Sequence, residues 1–115
     1  MKYISYWISP EGIIIQGQNH VSLIYNSPDR FDVSRDDVKT ARSTKGGPEN
    51  LMLLLLNRGW IRITDKGGAF LVEFDKWSLS HRGHIRTWMA GKQGKVNLVS
   101  LDGKYNKTIE SRQQL

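Results

Sequence analysis

Arginine and tryptophan side chains alternate along the second half of this 115-residue chain. A tryptophan ring can stack on a nucleic-acid base, and an arginine can bind a phosphate or stack in turn. The same two residue types are common among the side chains that dominate protein–protein interfaces. The pattern therefore predicts a binding surface rather than a reaction. The alternating residues are Arg58, Trp60, Arg62, Trp77, Arg82, Arg86 and Trp88.

Other residues that could do chemistry lack the spacing that the chemistry needs. His81 and His84 stand three residues apart on a predicted helix, which is compatible with two metal ligands. The third histidine, His20, is distant and the chain has no cysteine, so surface histidines in solvent are the favoured interpretation. No Gly-x-Ser-x-Gly sequence and no phosphate-binding loop occurs. We therefore expect no metal, no cofactor and no catalytic residue.

The charge of the chain is unevenly distributed. The formal net charge is +6, and the whole excess lies in residues 58–115, because acidic and basic residues cancel over residues 1–57. A basic half can attract nucleic acid or another polyanion through its long-range potential. The alternative is a surface that is basic without a specific role.

Length and composition indicate a folded protein. We expect one domain over residues 1–109 and a frayed tail over residues 110–115. The lack of cysteine excludes disulfides and thiolate zinc sites and fits a reducing cytoplasm. The N-terminus has no signal-peptide pattern, and the longest apolar run, Leu51–Leu56, is too short to span a bilayer. These features predict a cytoplasmic protein with no membrane contact and leave its oligomeric state open.

Periodicity and turn residues place these side chains on an α+β fold. Alternating residues predict strands, and cap residues such as Ser34 predict helix starts. Helix 48–58 is apolar on every side, so we expect it to be buried. We predict an antiparallel sheet of two or three hairpins with the helices packed on one side. The helices cover residues 19–25, capped by Asn19, then 34–44, 48–58 and 78–90; the hairpins cover 3–15, 60–75 and 96–109.

The middle hairpin fixes the direction of the candidate binding residues. With a two-residue Gly67-Gly68 loop, Ile61 and Ile63 face the core, so that Trp60 and Arg62 occupy the opposite face. An ordinary cross-strand ion pair with Glu73 is the alternative role for Arg62. Three helices followed by a hairpin is also the order of a winged helix, but helix 48–58 has few polar residues to face a DNA groove.

Three short motifs follow one another along residues 3–90. They are Tyr6-Trp7-x-x-Pro10-x-Gly12, His20-x-x-x-Ile24-x-x-x-Pro28-x-x-Phe31 and Gly59-Trp60-Ile61-Arg62-Ile63, with a later Trp-rich helix. In this order they resemble a group of small bacteriophage-encoded proteins with no established activity. Phe31-Asp32 departs from the Phe-Gly of that group. The resemblance implies an accessory role inside the infected host cell, often through binding of host proteins, with no catalytic residues to transfer.

Two functions remain in view. The first is a non-catalytic binding module that acts on a protein partner through the outward Trp60/Arg62 face. The alternative is a nucleic-acid-binding protein, either winged-helix-like or using a basic sheet face. The candidate binding residues are Arg58, Trp60, Arg62, Arg82 and Arg86.

Overall fold

The computed structural model describes residues 4–18 and 20–110, which form one six-stranded sheet with helices on both faces. The strand order is β2-β1-β3-β4-β5-β6. The predicted α+β class is confirmed. The elements are β1 (Ile4–Ile8), β2 (Ile14–Gly17), α1 (His20–Asn26), a 3-10 helix (Pro28–Phe31), α2 (Arg35–Ser43), α3 (Gly47–Asn57), β3 (Ile61–Asp65), β4 (Ala69–Phe74), α4 (Leu79–Met89), β5 (Lys95–Ser100) and β6 (Asn106–Glu110).

The sheet is mostly antiparallel but contains one parallel pair, β4 with β5. Two parallel neighbours need a crossover connection, and α4 supplies it between these strands. The prediction of an antiparallel sheet is therefore wrong at this pair, and the predicted hairpins are joined into one larger sheet. The sequence Asp102-Gly103 predicts a two-residue turn in the last hairpin, and this prediction is wrong. The Ser100 N–H donates to the Tyr105 carbonyl at 2.9 Å, so four residues form the loop.

Helices cover both faces of the sheet, so the prediction of helices on one side is wrong. Trp7 and Ile8 are adjacent in β1 and both fully buried, which requires a core on each face because successive strand residues point in opposite directions. Trp7 packs with residues of α1, α2 and α3, whereas Ile8 belongs to the cluster that includes Ile85 and Trp88 of α4. We call these the Trp7 core and the Ile8 core.

The apolar helix α3 is buried on one side only. Leu51, Leu55 and Leu56 lie in the Trp7 core, but Leu53 is 45% exposed. The expectation of burial all round is therefore wrong. Because residues 51–56 are all apolar, the sequence does not indicate which side of α3 faces the core. The packing of α3 against α2 and the sheet decides which leucines are covered.

Some predictions fall on residues whose structure is not described. Tyr3, the cap residue Asn19 and residues 111–115 lie outside the described ranges. Strand β6 extends to Glu110, one residue beyond the predicted end of the domain. Within residues 4–18 and 20–110, no helix is long and apolar enough to cross a membrane.

Candidate binding surfaces

Trp60 lies in the Trp7 core and not on an outward face. Its side chain is 4% exposed, and its ring centroid is 5.3 Å from that of Phe31 and 6.3 Å from that of Trp7. The predicted exposure is wrong because the face opposite Ile61 is itself covered by α1, α2 and α3. Trp60 is therefore unavailable to a partner.

Arg62 is engaged by its own chain. Its Nε and Nη2 donate to the two carboxylate oxygens of Glu73, each at 3.0 Å, and Nη1 contacts the Met52 sulfur at 3.2 Å. Glu73 is its direct cross-strand partner in β4. The guanidinium also lies 5.8 Å from the centre of the Trp7 ring. The alternative of an internal ion pair is therefore confirmed, and bidentate pairing leaves Arg62 little capacity to bind a ligand.

Arg58 links two segments of the Trp7 side of the molecule. It follows the last residue of α3, and its Nη1 donates to the carbonyl oxygen of Asp32 at 2.8 Å. Asp32 has φ 58°, a left-handed conformation that favours glycine. The exposed Arg58 side chain therefore holds the strained turn after Phe31.

Arg82 and Arg86 are exposed on α4, on the other side of the sheet. Helix α4 packs through Ile85, Trp88 and Met89 into the Ile8 core, whereas Trp60 and Arg62 lie on the Trp7 side. The five candidate residues therefore do not form one surface. The hairpin β3–β4 also lies in the middle of the sheet and cannot act as a free wing.

The two helical histidines have structural roles. His81 is buried, with Nδ1 2.5 Å from the Ser78 hydroxyl and its ring stacked on Trp77, so the prediction of a solvated histidine is wrong for it. Burial lowers the pKa of His81, and the nearby His84 lowers it further. The Gly59 backbone acts in the opposite direction, but it does not reach hydrogen-bond geometry with Nε2, which has no partner among the described residues. His84 Nε2 lies 3.0 Å from the Pro10 carbonyl. No group of three or more metal-ligating residues occurs in the described part of the chain.

The edge strand β2 is a surface that the sequence interpretation missed. The Ser9 N–H donates to the Ile13 carbonyl at 2.8 Å, which makes Ser9 and Ile13 a hydrogen-bonded pair in the register of β1 and β2. Hydrogen-bonded and non-hydrogen-bonded pairs alternate, so the N–H and C=O groups of Ile14 and Gln16 point away from β1, toward an edge where no other strand of residues 4–18 and 20–110 pairs. Ile14 is 43% exposed and Ile13, just before the strand, is 63% exposed.

The two edges of the sheet differ in charge. Strand β6 at the far edge carries Lys107 and Glu110, the kind of charged residue that discourages pairing with another chain. Strand β2, with the sequence Ile-Ile-Gln-Gly, has no charge and no proline. The signal was present in the sequence as the uncharged run Ile13-Ile14-Ile15, but only the strand order places it at an edge.

Comparisons with protein-family models, with curated proteins and with solved structures give no match to this chain. The resemblance to bacteriophage proteins is therefore untested and stays a prediction.

Proposed function

We propose that this protein is a non-catalytic binding module that acts on a protein partner, and that the partner adds an extended segment to edge strand β2. The observation that carries the proposal is the uncharged outer edge of β2, with the exposed apolar side chains of Ile13 and Ile14. Addition of a strand to an exposed sheet edge is a recurring mode of peptide recognition. The Trp60/Arg62 face no longer supports a protein partner, since both side chains are occupied within the fold.

The open edge offers both affinity and selectivity to such a partner. The outward N–H and C=O groups of Ile14 and Gln16 can form up to four backbone hydrogen bonds, each contributing about 0.5–1.5 kcal/mol. Because side chains alternate along a strand, Ile14 would pack beside an apolar side chain of the partner. The partner is therefore expected to supply an extended segment with an apolar residue opposite Ile14.

A proline at the edge tests this mode of binding directly. Gln16→Pro removes an outward N–H and obstructs a neighbouring strand, while proline is tolerated on the open side of an edge strand. The matched control is Thr108→Pro in β6. Ser100 and Tyr105 form a hydrogen-bonded pair, so by alternation Thr108 is a non-hydrogen-bonded position whose backbone N–H also points away from the sheet. Tagged wild-type and variant proteins are used for affinity capture from the producing cells, with quantitative mass spectrometry.

We expect Gln16→Pro to lose its specific partner at least about tenfold, as the loss of one or two hydrogen bonds implies, and Thr108→Pro to keep it. Thermal melting of both variants checks that the fold is retained. If Gln16→Pro captures the same proteins as the wild type in the same amounts, β2 is not the binding surface.

A further inference from the structure

A basic cleft lies between α1, the 3-10 helix and α2. Its volume is about 590 Å³, within the range of small-ligand pockets. Four cationic side chains and one carboxylate, Asp29, line it. The four cations are Arg30, Arg35, Lys39 and Arg42.

The cations of α2 come together because of their spacing. Arg35, Lys39 and Arg42 are separated by four and three residues, so they lie on one face of the helix. Asp37 of the same helix lines a different groove, toward α3. The numbers of acidic and basic residues are equal over residues 1–57, but the lining of this cleft is unbalanced, with four basic side chains and one acidic one.

The cleft holds an excess of positive charge, because Asp29 is the one carboxylate among its lining residues. Among the described residues, none of the four cations forms an ion pair with a carboxylate, whereas Arg62 is fully paired with Glu73. All four side chains are exposed. An anion in the cleft would therefore gain their attraction without breaking an existing ion pair.

Tyr25 gives the cleft an aromatic wall. The Arg42 guanidinium lies 4.9 Å from the centre of its ring, so a planar cation and an aromatic face are already stacked. The Tyr25 hydroxyl is buried and has no hydrogen-bond partner in the described structure. Alternating arginine and aromatic groups are the means by which proteins hold the phosphates and bases of single strands.

We propose that this cleft binds single-stranded nucleic acid, with phosphates on Arg30, Arg35 and Lys39 and a base against the Tyr25–Arg42 stack. Three of the four cations are arginines, whose planar fork matches phosphate oxygens. The cleft has room for one or two nucleotides and not for a duplex. The residues that line the cleft do not include residues of edge strand β2. Nucleic-acid binding by the cleft can therefore be tested separately from the proposed protein partner at β2.

Fluorescence anisotropy with a short labelled oligothymidylate tests the cleft at several salt concentrations between about 50 and 200 mM. Three phosphate contacts, on Arg30, Arg35 and Lys39, predict a slope of log affinity on log salt of about −2, since each contributes about −0.7 on a single strand. The variant Arg35→Gln with Lys39→Gln keeps one of the three contacts, so it should reduce that slope to about −0.7 and weaken binding at least about tenfold at low salt. The matched control is Arg82→Gln with Arg86→Gln, an exposed pair with the same spacing on α4.

The proposal is supported if the α2 pair lowers affinity and slope while the α4 pair and Gln16→Pro leave both unchanged. It is overturned if both double variants lose affinity equally, because the binding is then a general effect of net charge. It is also overturned if the matching DNA duplex or polyglutamate binds as tightly as the single strand, or if no strand binds at the lowest salt.

Discussion

Three successive leucines of α3 provide a test of the fold, because the same leucine-to-alanine substitution can be made at three positions that differ in burial. Leu53 is 45% exposed, Leu54 is half-buried and Leu55 is fully buried in the Trp7 core. Replacing each in turn by alanine removes the same atoms from the same helix. The differences in unfolding free energy therefore report burial, with little contribution from helix propensity.

The magnitudes follow from the exposures. Removing the extra carbons of a buried leucine costs about 2.4 kcal/mol at about 0.8 kcal/mol per carbon, and the cavity left at Leu55 raises the total to about 3–4 kcal/mol. At Leu53 roughly half of the transfer free energy applies and solvent fills the space, which gives about 1 kcal/mol. Leu54→Ala should cost about 2 kcal/mol, between its neighbours.

Urea denaturation and thermal melting measure these differences. For a domain of this size, about 1 kcal/mol corresponds to about 4 °C in melting temperature. Leu55→Ala should melt about 12–16 °C below the wild type and Leu53→Ala about 4 °C below it. If the two variants lose equal stability, the orientation of α3 described here is wrong, since the exposed side of the helix would then be as well covered as the buried side.

Two further predictions concern His20 and Asp32. Burial and the nearby Arg62 charge lower the pKa of His20 to about 4, although the Glu73 charge acts in the opposite direction. Between pH 6.5 and 4 the unfolded chain therefore takes up a proton at His20 that the folded chain does not, so the free energy of unfolding decreases as the pH falls below 6.5. From pH 7 to 5 this decrease is about 1 kcal/mol after allowing for partial solvent access. Urea denaturation at both pH values should show a loss about 1 kcal/mol smaller in His20→Phe than in the wild type, and buried His81 adds a loss of its own in both proteins; equal losses would contradict this prediction. Because Asp32 has φ 58°, Asp32→Gly should raise the melting temperature by about 2 °C and Asp32→Ala should lower it, as left-handed backbone favours glycine; the reverse order would contradict the assigned conformation.

The sequence predicted most of the elements because local signals mark them. Ser34 caps α2 as expected and forms a capping box with Asp37, and Ser78 is the cap of α4. Gly67 and Gly68 mark the β3–β4 loop, where both have positive φ. These features depend on neighbouring residues alone, so a single sequence is enough to place them.

The burial of Trp60 could not be predicted in the same way. A strand with apolar residues on one face and Trp60 and Arg62 on the other is equally consistent with a solvated sheet and with a second core. The second core depends on long-range packing of α1, α2 and α3 onto β1 and β3. The phenylalanine and tryptophan rings that cover Trp60 come from residues 29 and 53 positions away, which no local pattern connects.

The two proposed surfaces share helix α1, and this limits which variants can separate them. A Cβ on Gly17, at the end of β2, would lie 2.6 Å from the Leu23 side chain of α1, so α1 packs directly on the edge strand there. Two residues later in α1, Tyr25 lines the basic cleft. A substitution at Gly17 would therefore displace the Leu23 side chain of α1, and loss of binding in such a variant would not report on edge strand β2 alone. Gln16→Pro acts on the outward backbone of β2, and the Arg35/Lys39 variant acts on exposed side chains of α2. Neither change substitutes Gly17 or Leu23, so each acts on residues that belong to one surface.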